Sequence, residues 1–154
     1  MWYLLLKLLH VVAAITAVGA NITYAVWIAM GSRDPKALPF ALRGIKRIDD
    51  RLANPAYGLL LVTGVGMMLV SGMPITTPWL ASGLVLYVAI VLVGVLGYTP
   101  TLKEQIRLIE KDGAGSQAYE AAARKGTRQG VVLGVLALLV LFLMVVKPAL
   151  WMRG

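Results

Sequence analysis

Four long apolar stretches dominate this chain and leave it few folds. They run from about Trp2 to Met30, Pro55 to Val70, Trp79 to Tyr98 and Gly130 to Val146. Each approaches or exceeds the ~20 residues that a helix needs to cross a ~30 Å hydrocarbon core. A backbone in lipid must satisfy its own hydrogen bonds, and a helix does so internally. The stretches therefore predict an all-α, integral membrane four-helix bundle. Composition agrees, because 59% of the 154 residues are hydrophobic, too many for a soluble domain of this length. Four spans and their connections use the whole chain, so one domain is expected. Its spans are placed at about 2–30, 55–71, 79–99 and 127–147, with loops at 31–54 and 100–126.

Charge sets the expected orientation. Six Lys and Arg lie between Arg33 and Arg51, and six more between Lys103 and Arg128. The link from Ser71 to Pro78 has none, and the two ends carry only Lys7, Lys147 and Arg153. The positive-inside rule places both basic loops in the cytoplasm and both termini outside. That suits a multi-pass protein of the cell (inner) membrane. The formal net charge of +8 is explained by topology and by attraction to anionic headgroups, so no nucleic-acid partner is implied. The first apolar run continues about 20 residues past Lys7 and lacks a basic region ahead of it, which fits a retained helix better than a signal peptide.

Local signals divide the chain further. Gly31-Ser32 and Asp34-Pro35 end the first helix. From Leu38 to Leu52 the spacing puts Leu38, Leu42, Ile45, Ile48 and Leu52 on one face. Arg43, Lys46, Arg47, Asp50 and Arg51 fall mostly on the other, the pattern of an amphipathic helix lying along headgroups on its approach to the second span. Asn54-Pro55 restarts the chain there. Trp79 and Tyr98 bracket the third span at interface depth, and Trp151 is read as a further anchor. Past Pro100 a helical pattern resumes, and Ser116 is the expected N-cap of the helix that becomes the fourth span.

Contacts between helices in a bilayer rely on small and polar residues. Gly130 and Gly134 on the fourth span, with Ala13 and Ala17 on the first, are the expected packing positions. They serve the bundle itself, room for a flat cofactor, or contact with a second copy or a membrane partner protein.

The candidates for chemistry are few. There is no cysteine, which excludes disulfides and thiolate sites, and no carboxylate lies inside a predicted span. His10 is the single histidine. It shares a helical face with Ala14, Ala17, Asn21 and Tyr24. An ionisable group at this depth reads as an axial haem ligand or a proton-active imidazole, or else as a histidine bonded to a neighbouring helix. Met67 and Met68 are candidates for a thioether opposite it, although methionine more often packs. Lys7 is expected to snorkel. Asn21, Tyr24 and Tyr87 are polar groups that usually bridge helices.

Several short motifs bear a family likeness. Lys7-Leu-Leu-His10-Val resembles the K-x-x-H-[IV] opening of helix one in the HemJ-type protoporphyrinogen oxidases. Asp49-Asp-Arg-Leu-Ala-Asn-Pro-Ala56 resembles the start of that family's second helix, Trp79-Leu80 its third, and Val145-Val-Lys-Pro148 its closing V-K-P. The broader group, with copper-resistance-type and uncharacterised four-helix membrane proteins, matches equally well. The resemblance implies a bundle that binds haem b through His10 in a redox or haem-handling role. Gly83 stands where the family has a lysine, Thr99 where it has a histidine, and Arg128-Gln129 where it has asparagine-glutamate. Those departures bear on porphyrinogen oxidation rather than on haem binding. Beside the haem reading stand a non-enzymatic membrane scaffold or partner subunit, and a small-molecule transporter. The transporter is disfavoured by the lack of intramembrane acids and broken helices.

Overall fold

The computed structural model describes residues 1–148, and these are helical apart from three short links. Trp151 and Arg153 lie outside the described residues. The elements are α1 (Trp2–Gly31), α2 (Leu38–Ile48), a π-helical turn π1 (Asp49–Ala53), α3 (Asn54–Ser71), α4 (Pro78–Leu92), a second π-helical turn π2 (Val93–Tyr98), α5 (Thr99–Asp112) and α6 (Gln117–Val146). The π turns do not interrupt the chain direction. The molecule is thus four long helices, Trp2–Gly31, Leu38–Ser71, Pro78–Asp112 and Gln117–Val146, each apolar enough to cross a membrane. The longest run for about 50 Å, well past a hydrocarbon core.

The predicted break at Asn54-Pro55 is absent, and so is a pause at Pro100. Proline lacks an N–H, and its ring crowds the carbonyl four residues back. Pro55 and Pro100 each stand two residues beyond a π turn. The wider turn accommodates the crowded carbonyl, so the helix runs on with a bulge where a stop was expected. The predicted loops 31–54 and 100–126 are accordingly mostly helix.

Neighbouring helices run antiparallel. His10 of α1 meets Thr63 of α3, and Tyr24 meets Asp49. Between α4–α5 and α6, Gly83 lies under Met144 and Gly126 under Gln105. The start of α1 and the end of α6 therefore sit at one end with the Gly72–Thr77 link. The basic segments gather at the other, hereafter the basic end. Gly72 ends α3 in the left-handed conformation, φ +66°, which glycine adopts without strain. The Ser116 hydroxyl caps α6, accepting from the Tyr119 N–H at 3.2 Å. At the terminal end the Lys147 ammonium lies 5.2 Å from the Trp79 ring centroid.

The packed core is concentrated toward the basic end. Leu42, Ile45 and Leu102 are its most deeply buried large side chains, joined by Tyr24, Tyr98 and Tyr119. The amphipathic helix α2 therefore does not lie alone along headgroups. Its apolar side packs on α1 and α5. That side is also shifted from the sequence reading. Leu38, Leu42 and Ile45 are buried as expected, but the series continues to Asp49 and Ala53, leaving Ile48 half-buried and Leu52 exposed. Along the spans, Leu4, Ile15, Val62, Leu69, Val85, Leu96, Val131 and Leu138 are exposed, the outward apolar surface that lipid requires.

Two pairs organise the membrane half: α1 with α3, and α4 with α6. Although a short link joins α3 to α4, their backbones stay apart, and the two meet through side chains around the His10 cavity and at Tyr57 and Tyr87. The space between the pairs is where polar groups collect.

Candidate functional site

His10 is half-buried, with Nδ1 2.9 Å from the Thr63 hydroxyl. Thr63 is fully buried and spends its proton on the Leu59 carbonyl at 2.6 Å. Thr63 can then accept from an Nδ1–H, the tautomer in which Nε2 keeps its lone pair. Gly64 lets the ring approach: a Cβ there would stand 3.3 Å from His10 Cε1. The ring lines an apolar cavity of about 150 Å³ with Leu60, Met68, Tyr87 and Met144. Met68 thus shares a cavity with His10, whereas Met67 is half-buried outside its lining. Lys7 is exposed.

A second polar group, not anticipated from sequence, lies nearer the basic end. Asp49 is only 6% exposed. Its carboxylate accepts from the Tyr24 hydroxyl at 3.3 Å, and from the Asn54 amide and Thr99 hydroxyl at 3.4 Å each. Tyr24 stacks on Tyr98, centroids 6.3 Å apart and planes within 3°. Asn21 donates to Ala17 O at 2.9 Å and to the Tyr57 hydroxyl at 2.7 Å, and Tyr87 donates to the Tyr57 carbonyl at 2.8 Å. Asp49 precedes the apolar stretch that begins at Pro55. Burial pushes its carboxyl above the ordinary aspartate range, against the opposing pull of Lys46. Both π turns end in this cluster, π1 beginning with Asp49 and π2 ending with Tyr98. Such bulges re-aim side chains and recur at functional sites.

Asp49, Asn21, Tyr57, Tyr87 and Tyr98 line a cavity of about 250 Å³. A third cavity, about 480 Å³, opens at the basic end between Ser32, Tyr98, Gln105 and Tyr119. The three follow one another along the bundle. On α1 their linings pass from His10 to Asn21 to Ile28, and on α6 from Met144 to Leu133 to Tyr119. Tyr87 belongs to the first and second cavities, and Tyr98 to the second and third.

The small residues divide. Ala13 and Ala17 are 2% and 0% exposed. Gly130 and Gly134 are exposed and would have no atom within 4 Å of an added Cβ, so they do not make the close contact expected inside the bundle. Gly126 makes it instead, under the Gln105 amide. The reason is helical phase: Gln129, one position before Gly130, faces α4–α5. A Cβ on Gly97 would stand 3.0 Å from its Nε2, and its buried Oε1 has no partner.

Sequence reading therefore named Asn21, Tyr24, Tyr87 and His10, but not the acid that accepts from Tyr24 and shares a cavity with Asn21 and Tyr87. The signal was present in the spacing Leu42, Ile45, Asp49, obscured by the charged neighbours Arg47, Asp50 and Arg51. Among the described residues no three of His, Cys, Asp and Glu come together as a metal-binding group. No curated protein and no solved structure matches the chain. The likeness to HemJ-type oxidases thus rests on its short motifs. A family profile described as a predicted integral membrane protein, DUF2269, matches residues 4–148, so this four-helix chain belongs to the DUF2269 family of integral membrane proteins.

Proposed function

We propose that the protein carries a small solute through the cleft between its two helix pairs. The observation behind this reading is the row of three cavities, divided by Tyr98 and Tyr87, from the basic end to the level of His10. Two further features support the reading. An acid is buried beside the cleft, and two of the four long helices carry irregular turns next to it. Irregular helical segments at a binding site between helix bundles are a recurring device of transporters.

Proteoliposome swelling in glycerol, urea and choline chloride tests the reading. At least one solute is expected to enter faster than into protein-free vesicles, and Tyr87→Trp is expected to slow it by narrowing the partition. Entry equal to that of empty vesicles for all three would sink it.

Haem binding through His10 is the second reading. The Thr63 brace favours it, because a ligating imidazole commonly donates its other N–H and is thereby oriented. The space does not favour it. About 150 Å³ is well under the 300–1,000 Å³ of sites for drug-sized ligands, so a porphyrin does not fit beside His10 within this chain. An absorption spectrum of the purified protein with added haem, beside His10→Ala, discriminates. A stoichiometric Soret band lost in the variant would establish haem over the steric argument.

A further inference from the structure

The middle cavity is chemically unlike its neighbours. Asp49 is the single formally charged residue in its wall. Among the described residues no Lys, Arg or His comes within ion-pair distance of that carboxylate, since Lys46 pairs with Asp50 and the remaining pairs lie elsewhere on the surface. A buried carboxylate without a counter-charge is costly. Its donors here are neutral and sit at 3.3–3.4 Å, long beside the 2.5–2.9 Å of good charge-assisted bonds. The site thus gives both oxygens of the acid hydrogen bonds but no counter-charge.

The rest of the wall supplies what a soft organic cation needs. Tyr57, Tyr87 and Tyr98 bring three aromatic rings to the cavity, and ring faces attract cations. The volume of about 250 Å³ corresponds to roughly eight waters, enough for a few heavy atoms and too small for a drug-sized molecule. A hard divalent ion would ask for several oxygen anions, and only one is present. We propose that the Asp49–tyrosine cavity binds a small organic ammonium ion, Asp49 supplying the counter-charge and Tyr57, Tyr87 and Tyr98 the aromatic walls. This rests on the reading of the cleft as a solute path and names the class of solute it would take. The phenolic Tyr24–Tyr98 stack at the basic side of Asp49 separates the ammonium site from the large outer cavity, and Tyr87 separates it from the apolar one beside His10.

The test is calorimetric titration of the detergent-purified full chain with choline chloride, against sodium chloride at equal ionic strength. The neutral isostere 3,3-dimethylbutan-1-ol is titrated in parallel. Choline is expected to bind, sodium not, and the isostere about tenfold or more weaker than choline. Asp49→Asn is expected to erase the preference for choline over the isostere, and Asp49→Glu to restore part of it. If Asp49→Asn does not fold, the pair Tyr57→Phe and Tyr57→Leu carries the test, with binding kept in the first and weakened several-fold in the second. Isostere binding without choline binding would overturn the ammonium assignment and leave the solute cleft standing. Binding of neither would overturn the ammonium site, while the swelling assay decides the solute cleft separately. Choline binding unchanged in Asp49→Asn, or in Tyr57→Leu, would place the ligand elsewhere and overturn the proposal.

Discussion

Asp49 and His10 are opposite solutions to burying an ionisable side chain. His10 has a defined partner in Thr63 and needs no charge. Asp49 has three distant neutral donors and no ion-pair partner among the described residues. A carboxyl raised by burial binds its proton more tightly in the folded state than in the unfolded one, so the ionised form costs stability at neutral pH. That cost is lifted as pH falls through the raised value toward the ordinary ~3.9 of a free aspartate. In ligand-free protein, the difference in melting temperature between wild type and Asp49→Asn should therefore shift in favour of wild type as pH is lowered over that window. A difference that does not move with pH, measured by thermal unfolding in detergent, would mean that the carboxyl is not strained by burial.

At the scale of elements, hydropathy located the four spans because lipid imposes length and apolarity on every residue of a crossing helix. The Ser116 cap and the helical extension past Pro100 were legible for a related reason, since each depends on neighbours close in sequence. What stayed hidden depends on tertiary phase. Proline rules predict a break at Pro55 and Pro100, and nothing local says that a π turn will absorb the crowding. Asp49 continues the buried side of α2 at ordinary helical spacing, and past it the π turn carries that side to Ala53 rather than Leu52. The glycines of α6 show the same limit, because identical spacing at 126, 130 and 134 gives one buried contact and two open positions. Gly126→Ala should thus destabilise by about 1–3 kcal/mol through overpacking on Gln105. Gly130→Ala and Gly134→Ala should be neutral or stabilising by up to ~1 kcal/mol, since alanine favours the helix. Melting temperatures of the three variants check this directly. A loss at Gly134→Ala equal to that at Gly126→Ala would show that the open face is covered by something outside this chain.

For the whole molecule, the basic residues of segments 33–51 and 103–128 form a collar around one end, while among the described residues the opposite end, with the start of α1, the end of α6 and the Gly72–Thr77 link, carries only Lys7 and Lys147 as charged side chains. The exposed ion pairs in that collar, such as Arg43–Glu110 at 2.7 Å, contribute little on their own, as both side chains are about half exposed. The positive-inside rule expects this collar on the cytoplasmic side, and the natural absence of cysteine makes orientation simple to measure. In bacterial cells, Met73→Cys should react with a membrane-impermeant maleimide from outside. Ala114→Cys should react only after the membrane is opened. The reverse pattern would invert the assigned topology and place the large outer cavity on the external face.

The uneven placement of the core has a mechanical meaning. Tyr24, Leu42, Ile45, Tyr98, Leu102 and Tyr119 clamp all four long helices together toward one end, while beyond it α3 and α4 meet through side chains alone. The bundle is therefore a lever with its fulcrum near Asp49. An arm of about 20 residues is some 30 Å long, so a tilt of about 10° at the fulcrum moves the far tips by roughly 5 Å. A charge arriving beside Asp49 acts at the pivot, where the smallest displacement produces the widest swing.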